Sequence, residues 1–181
     1  MQIKTVAQKT ALPVAITVFA AAAPFVLAGG GMAGNSAVVT TMAHSQIVVG
    51  DRMAAVGDFA AARQIYDVAA TMIRSQGQVP IEAARRIANA YYYEGHYRSA
   101  VETLDRLAEE AALAGDQVAE CLALSDAARM AKLGDAELNS ELRLNRVRQL
   151  ISAPTFPAEL RDEIKADLFE DLTVFSPHLG T

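Results

Sequence analysis

The chain has one cysteine, no tryptophan and only 6% aromatic residues in 181. A lone Cys121 cannot close an internal disulfide, and three scattered histidines build no Cys/His set of zinc-ligand spacing. Surplus basic charge is missing too. The 16 Lys and Arg stand against 21 Asp and Glu, a formal charge of −5. That excludes the concentrated cationic surface by which a protein displaces counterions from nucleic acid. The chain is nevertheless 52% hydrophobic, so alanine and the aliphatics dominate. Such a composition favours closely packed helices over a sandwich or barrel, at a length that buries a core without staples.

Charge of either sign is absent between Lys9 and Asp51. Residues 10–28 (TALPVAITVFAAAAPFVLA) form an apolar run behind the leader lysines Lys4 and Lys9. A basic leader, an apolar centre and Val26-Leu27-Ala28 before Gly29 have the layout of a secretory signal peptide, and Pro24 would leave the cleavage site extended. The same run nearly reaches the ~20 apolar residues of a membrane span, with the lysines retained on the cytoplasmic side. Residues 1–28 are therefore a signal peptide or a retained membrane anchor. Either reading exports the remainder, to the periplasmic face of the cytoplasmic membrane or to the soluble periplasm. Removing Lys4 and Lys9 from the 16 basic residues leaves 14 against 21 acidic ones, and the charge becomes −7.

Gly29, Gly31 and Gly34 satisfy the G-x-G-x-x-G spacing of a dinucleotide turn, with Asp51 at the distance of a ribose-binding acid. That motif works only between a strand and a helix of a parallel sheet, and nothing after Asp51 supplies strands. Residues 29–42 are read as a Gly/Ala/Ser linker, and no cofactor is expected.

From about residue 40 to 172, apolar positions recur at three and four, the helical period, and breaks fall at Gly or Pro. The stops are Gly57-Asp58, Gly77 to Pro80, Gly95-His96, Gly115-Asp116, Gly134-Asp135 and the stretch from Ala153 to Pro157. Glycine takes the left-handed C-terminal cap and aspartate caps the next helix. Six segments of roughly 12–18 residues form an antiparallel succession with short connections. Gly57, Gly95 and Gly134 stand 38 and 39 residues apart, a period of stacked helical hairpins.

Aligned on those glycines, the first unit has Gly50, Phe59, Ala62, Tyr66 and Ala69 where the second has Ala88, Tyr97, Ala100, Leu104 and Leu107. This pattern of small and large residues resembles the tetratricopeptide repeat. The third unit departs from it: Ala127 falls at the small position, but Asn139, Arg143 and Arg146 stand at apolar places. Leu144, Val147 and Ile151 are expected to pack there instead. The resemblance covers about 110 residues and implies an all-α fold of stacked antiparallel hairpins over residues 43–172. The segment opening at Pro157 is read as the closing helix.

Catalytic and metal-binding residues are not expected. His44, His96 and His178 sit in separate segments, and Cys121 lies in an apolar stretch as a small buried thiol. The pairs Glu109-Glu110 and Glu170-Asp171 are sequence neighbours, so on a helix they diverge.

A binding surface is easier to assemble. The resemblance implies that the first helix of each pair lines a ligand face. In the second unit this puts Glu82, Arg85, Asn89 and Tyr92 in line, with Arg85 and Asn89 where some family members grip a terminal carboxylate. Flanking units offer Ile47, Asp51 and Ala54, then Cys121, Leu124 and Ala128, so a full carboxylate grip is not expected. Tyr91, Tyr92 and Tyr93 cannot all be core; Tyr91 packs, leaving Tyr92 or Tyr93 as an interface anchor. Residues 173–181 form an apolar tail in which Phe175 is a docking candidate.

The resulting expectation is a non-catalytic, membrane-anchored, periplasm-facing scaffold or accessory subunit. Its partner would be another protein, a larger membrane complex of respiratory, photosynthetic or envelope type, and not nucleic acid. The alternatives are a cleaved, soluble adaptor that captures peptide segments, and a small enzyme whose site is not legible.

Overall fold

A computed structural model describes the backbone of residues 32–134 and 140–170, with side chains for 36–132 and 140–168. Residues 1–28 and the tail carrying Phe175 lie outside the described residues. Among the described residues there is no strand, and seven α-helices follow in order. They are α1 (Met32–Ala55), α2 (Phe59–Arg74), α3 (Ile81–Tyr93), α4 (Tyr97–Ala114), α5 (Gln117–Gly134), α6 (Ser140–Ser152) and α7 (Ala158–Lys165). A π-helical turn (Ala166–Glu170) follows α7. None of these helices is long and apolar enough to cross a membrane.

The helix boundaries follow from local chemistry. Gly57, Gly95 and Gly115 adopt φ of +82°, +79° and +74°, a conformation that costs other residues about 1–2 kcal/mol. Asp58 then accepts the backbone N–H of Ala61 at 3.0 Å, and Asp116 that of Ala119 at 2.9 Å. Each carboxylate satisfies one donor that a helix start leaves orphaned.

Helix α1 starts at Met32, so positions 32–42 of the stretch expected to be linker are helical. Their Ser and Thr content does not force coil, because the hydroxyls of Thr40, Thr41 and Ser45 donate to the carbonyls of Ser36, Ala37 and Thr41 one turn back. Gly34 is inside this helix, and no strand follows among the described residues to build the parallel sheet that the glycine spacing requires.

Each helix packs mainly on its chain neighbours, and α3 also touches α5. The core is accordingly divided in three. Ile47, Ala62, Tyr66, Ala69 and Ala83 join α1, α2 and α3. Ala84, Ala88, Ala100, Leu104, Leu107, Ala123 and Ala127 join α3, α4 and α5. Cys121, Ala128, Leu144, Val147, Ile151, Phe156, Ile164 and Leu168 join α5, α6, α7 and the π turn. The adjacent residues Ala83 and Ala84 thus serve different cores, and α3 and α5 are each buried on two sides. Between α1 and α2 a small residue permits close approach: a Cβ placed on Gly50 would overlap the Tyr66 ring. In the third unit Leu144, Val147 and Ile151 are buried as anticipated, while Arg143 and Arg146 form ion pairs.

Ion pairs also tie helices that are second neighbours. Asp51–Arg86 joins α1 to α3 (2.7 Å), Arg74–Glu110 joins α2 to α4 (3.0 Å), Arg85–Asp126 joins α3 to α5 (2.5 Å) and Asp105–Arg143 joins α4 to α6 (2.6 Å). The partners are 35, 36, 41 and 38 residues apart. Each pair thus links two helices separated in the chain by a third.

Candidate functional site

A groove of about 700 Å³ lies where α1, the start of α2 and one face of α3 converge. Asp51, Ala54 and Ala55 come from α1, Phe59 and Tyr66 from α2, and Glu82, Arg85, Arg86, Asn89 and Tyr93 from α3. The α3 set is dictated by helical geometry. Starting from Glu82, Asn89 is seven residues on and Tyr93 eleven, nearly whole numbers of turns.

The same arithmetic sorts the tyrosines. Tyr92, ten residues from Glu82, is turned by about 80° and leaves the groove. It is half-buried against the α3–α4–α5 core and meets the Tyr97 ring edge-on at 5.3 Å. Tyr91 packs on that core as expected, with the Arg63 guanidinium 4.4 Å above its ring. Tyr93 is 70% exposed and stacks on Phe59, centroids 5.7 Å apart and planes within 17°. Of the six residues singled out in the sequence, Glu82, Arg85, Asn89 and Tyr93 therefore share one groove, and Tyr92 belongs to a packing face. Ile47 is buried between α1 and α2, whereas Asp51 and Ala54 line the groove.

Asp51 is the electrostatic centre of the groove. Its Oδ1 accepts Tyr66 Oη and Arg86 Nε, both at 2.7 Å. Partial burial opposes its negative charge, but the hydrogen bonds from Arg86 and Tyr66 outweigh this and hold the carboxyl below its ordinary range. Burial, then the bond to Asp51, pushes the Tyr66 phenol up, so it stays a neutral donor. Arg86 also reaches Glu82 at 2.9 Å, one helical turn away. Arg85 gives its Nε to Asp126. Both arginines are thus already paired with carboxylates of the chain, which disfavours the grip on a foreign carboxylate implied for Arg85. Asn89 is exposed on the same face.

Phe59, Tyr66 and Arg86 were not singled out in the sequence as groove residues. Phe59 is half-buried at the groove wall, and Tyr66 is buried in the α1–α2–α3 core and reaches the groove through its hydroxyl bond to Asp51. A second cavity, about 440 Å³, uses the other face of α3 together with α2 and α4. Its Arg63 and Arg74 are paired with Glu94 and Glu110.

Elsewhere, Cys121 is buried and burial pushes its thiol up to about 11, so it is protonated at neutral pH. His44 and His96 are exposed. Among the described residues no three His, Cys, Asp or Glu side chains are grouped to hold a metal ion.

In class, the described part is an all-helical protein of neighbour-packed helices, with a mixed aromatic and polar groove between its first three. Comparison with protein-family models, curated proteins and solved structures gives no match to this chain.

Proposed function

We propose that the chain is a non-catalytic, exported scaffold or accessory subunit of tetratricopeptide-like architecture. Residues 1–28 would hold it at the periplasmic face of the membrane, and the α1–α3 groove would dock a segment of a larger membrane protein complex. The observation that carries this reading is the convergence of Glu82, Arg85, Asn89 and Tyr93 with Asp51 and the Phe59–Tyr93 stack on one open groove. An exposed aromatic ring beside neutralised charge pairs is the composition of an interface anchor, since aromatic residues dominate binding hot spots. Tethering both partners to one membrane raises their effective concentration, so modest groove contacts suffice.

The test is mild-detergent extraction of the native membrane followed by identification of co-purifying proteins, with wild type compared to Tyr93→Ala and Asn89→Ala. The reading requires a membrane complex that is retained by wild type and lost from the groove variants at unchanged thermal midpoint. Retention that is indifferent to the groove would refute it. An intact mass beginning at Gly29 in the soluble fraction would replace the anchor with a soluble adaptor.

A further inference from the structure

The second cavity, about 440 Å³, is walled by α2, α3 and α4. Four charged side chains line it: Arg63, Asp67 and Arg74 from α2, and Arg106 from α4. Arg63 is neutralised by Glu94, and Arg74 by Glu110 through hydrogen bonds of 3.0, 3.1 and 3.0 Å. Asp67 and Arg106 are different. Among the described residues neither takes part in an ion pair, and the Asp67 carboxylate accepts no hydrogen bond. Arg106 spends only its Nε, on the backbone carbonyl of Glu102 at 3.3 Å. One unspent carboxylate and one unspent guanidinium, from two different helices, thus share a cavity without reaching each other. Between them lie the apolar side chains of Ala84, Ile87 and Leu107 and the half-buried ring of Tyr91.

We propose that this cavity binds a zwitterion: an α-amino acid, or a short peptide with free ends, that carries an apolar side chain. Its carboxylate accepts the open N–H groups of Arg106, its ammonium donates to Asp67, and its side chain lies against Ile87 and Leu107. The charge pattern selects this class. A simple anion meets the Asp67 carboxylate and a simple cation meets the Arg106 guanidinium, whereas a zwitterion is complementary to both. Arg63 and Arg74 add no third demand, because their glutamates already balance them. The volume falls within the range of about 300–1,000 Å³ typical of small-molecule sites. The apolar lining strengthens the two charge-assisted hydrogen bonds by lowering the local dielectric. The cavity uses the other face of α3 from the α1–α3 groove, so the site does not depend on a partner docked there.

The full-length protein in mild detergent is titrated calorimetrically with L-leucine and with the dipeptide Leu-Leu. Two analogues run beside them: leucinamide, which lacks the carboxylate, and N-acetylleucine, which lacks the ammonium. At least one zwitterion should bind with a Kd below about 1 mM. Each analogue should bind at least about tenfold more weakly, the worth of one charge-assisted hydrogen bond. Tighter binding of leucine assigns the site to free amino acids, and tighter binding of Leu-Leu assigns it to short peptides.

Asp67→Asn and Arg106→Gln should each weaken the zwitterion about tenfold at an unchanged thermal midpoint, because both side chains are exposed and unpaired among the described residues. Asp67→Asn should also lose the discrimination against N-acetylleucine, which a merely structural role would not affect. Zwitterions that fail to bind by about 10 mM, analogues that bind as well as the zwitterions, or binding indifferent to both substitutions would overturn the proposal.

Discussion

Gly50 of α1 lies so close to the Tyr66 ring of α2 that the ring fills the space a β-carbon would occupy. Replacing a helical glycine by alanine ordinarily stabilises a helix by about 0.5–1 kcal/mol. Here overpacking costs about 1–3 kcal/mol and reverses the sign. Gly50→Ala should lower the thermal midpoint by several degrees, and adding Tyr66→Leu should recover part of the loss. A stabilised Gly50→Ala would mean that the ring moves aside freely.

The neighbouring tyrosines should separate stability from binding. Tyr92→Ala removes a half-buried ring and its edge contact with Tyr97, at a cost of about 1–3 kcal/mol. Tyr93→Ala removes an exposed ring and should leave the midpoint within a degree or two while reducing partner retention. Calorimetry and a pull-down on both variants check this, and an inverted outcome would place Tyr92 in the interface.

Asp51 should register in the acid limb of stability. Its carboxyl is held below the unfolded value of about 3.9, so its charged form favours the fold. That contribution is complete above the unfolded value and disappears as pH falls through the folded one. Wild type should therefore melt higher than Asp51→Asn at pH 7, and the gap should close below about pH 4. A gap that does not narrow at all on acidification would assign the effect to something other than the charge.

Arg85 and Asp126 provide a measurable coupling between α3 and α5. The pair is partly exposed, so a double-mutant cycle with alanine should return about 0.5–1 kcal/mol at low salt and less at 1 M salt. Coupling independent of salt would count against a charge interaction.

Much of the fold was legible because its determinants are local. The Gly57-Asp58 and Gly115-Asp116 turns announce a left-handed cap and an N-cap within two residues, and both form. Leu144, Val147 and Ile151 announce the packed side of α6 by their period. The extent of α1 was hidden, because serine and threonine also suit linkers and their back-bonding to the helix leaves no trace in composition. The choice of Tyr93 over Tyr92 turned on a drift of one residue over three turns, finer than a three-four spacing rule carries. Phe59, Arg86 and the ion pairs depend on how helices 35 or more residues apart come together, and no local pattern encodes that. Phe175 lies beyond the described residues.

The ion pairs between second-neighbour helices act as diagonal braces. Short turns resist splaying of neighbouring helices, and sliding between second-neighbour helices is opposed by Asp51–Arg86, Arg74–Glu110, Arg85–Asp126 and Asp105–Arg143. Resistance to sliding is therefore shared between the alanine-rich cores that join successive helices and these partly exposed charge pairs. Raising the ionic strength should weaken only the charged share, so the groove walls that Asp51–Arg86 and Arg85–Asp126 brace become more compliant while the cores stay packed.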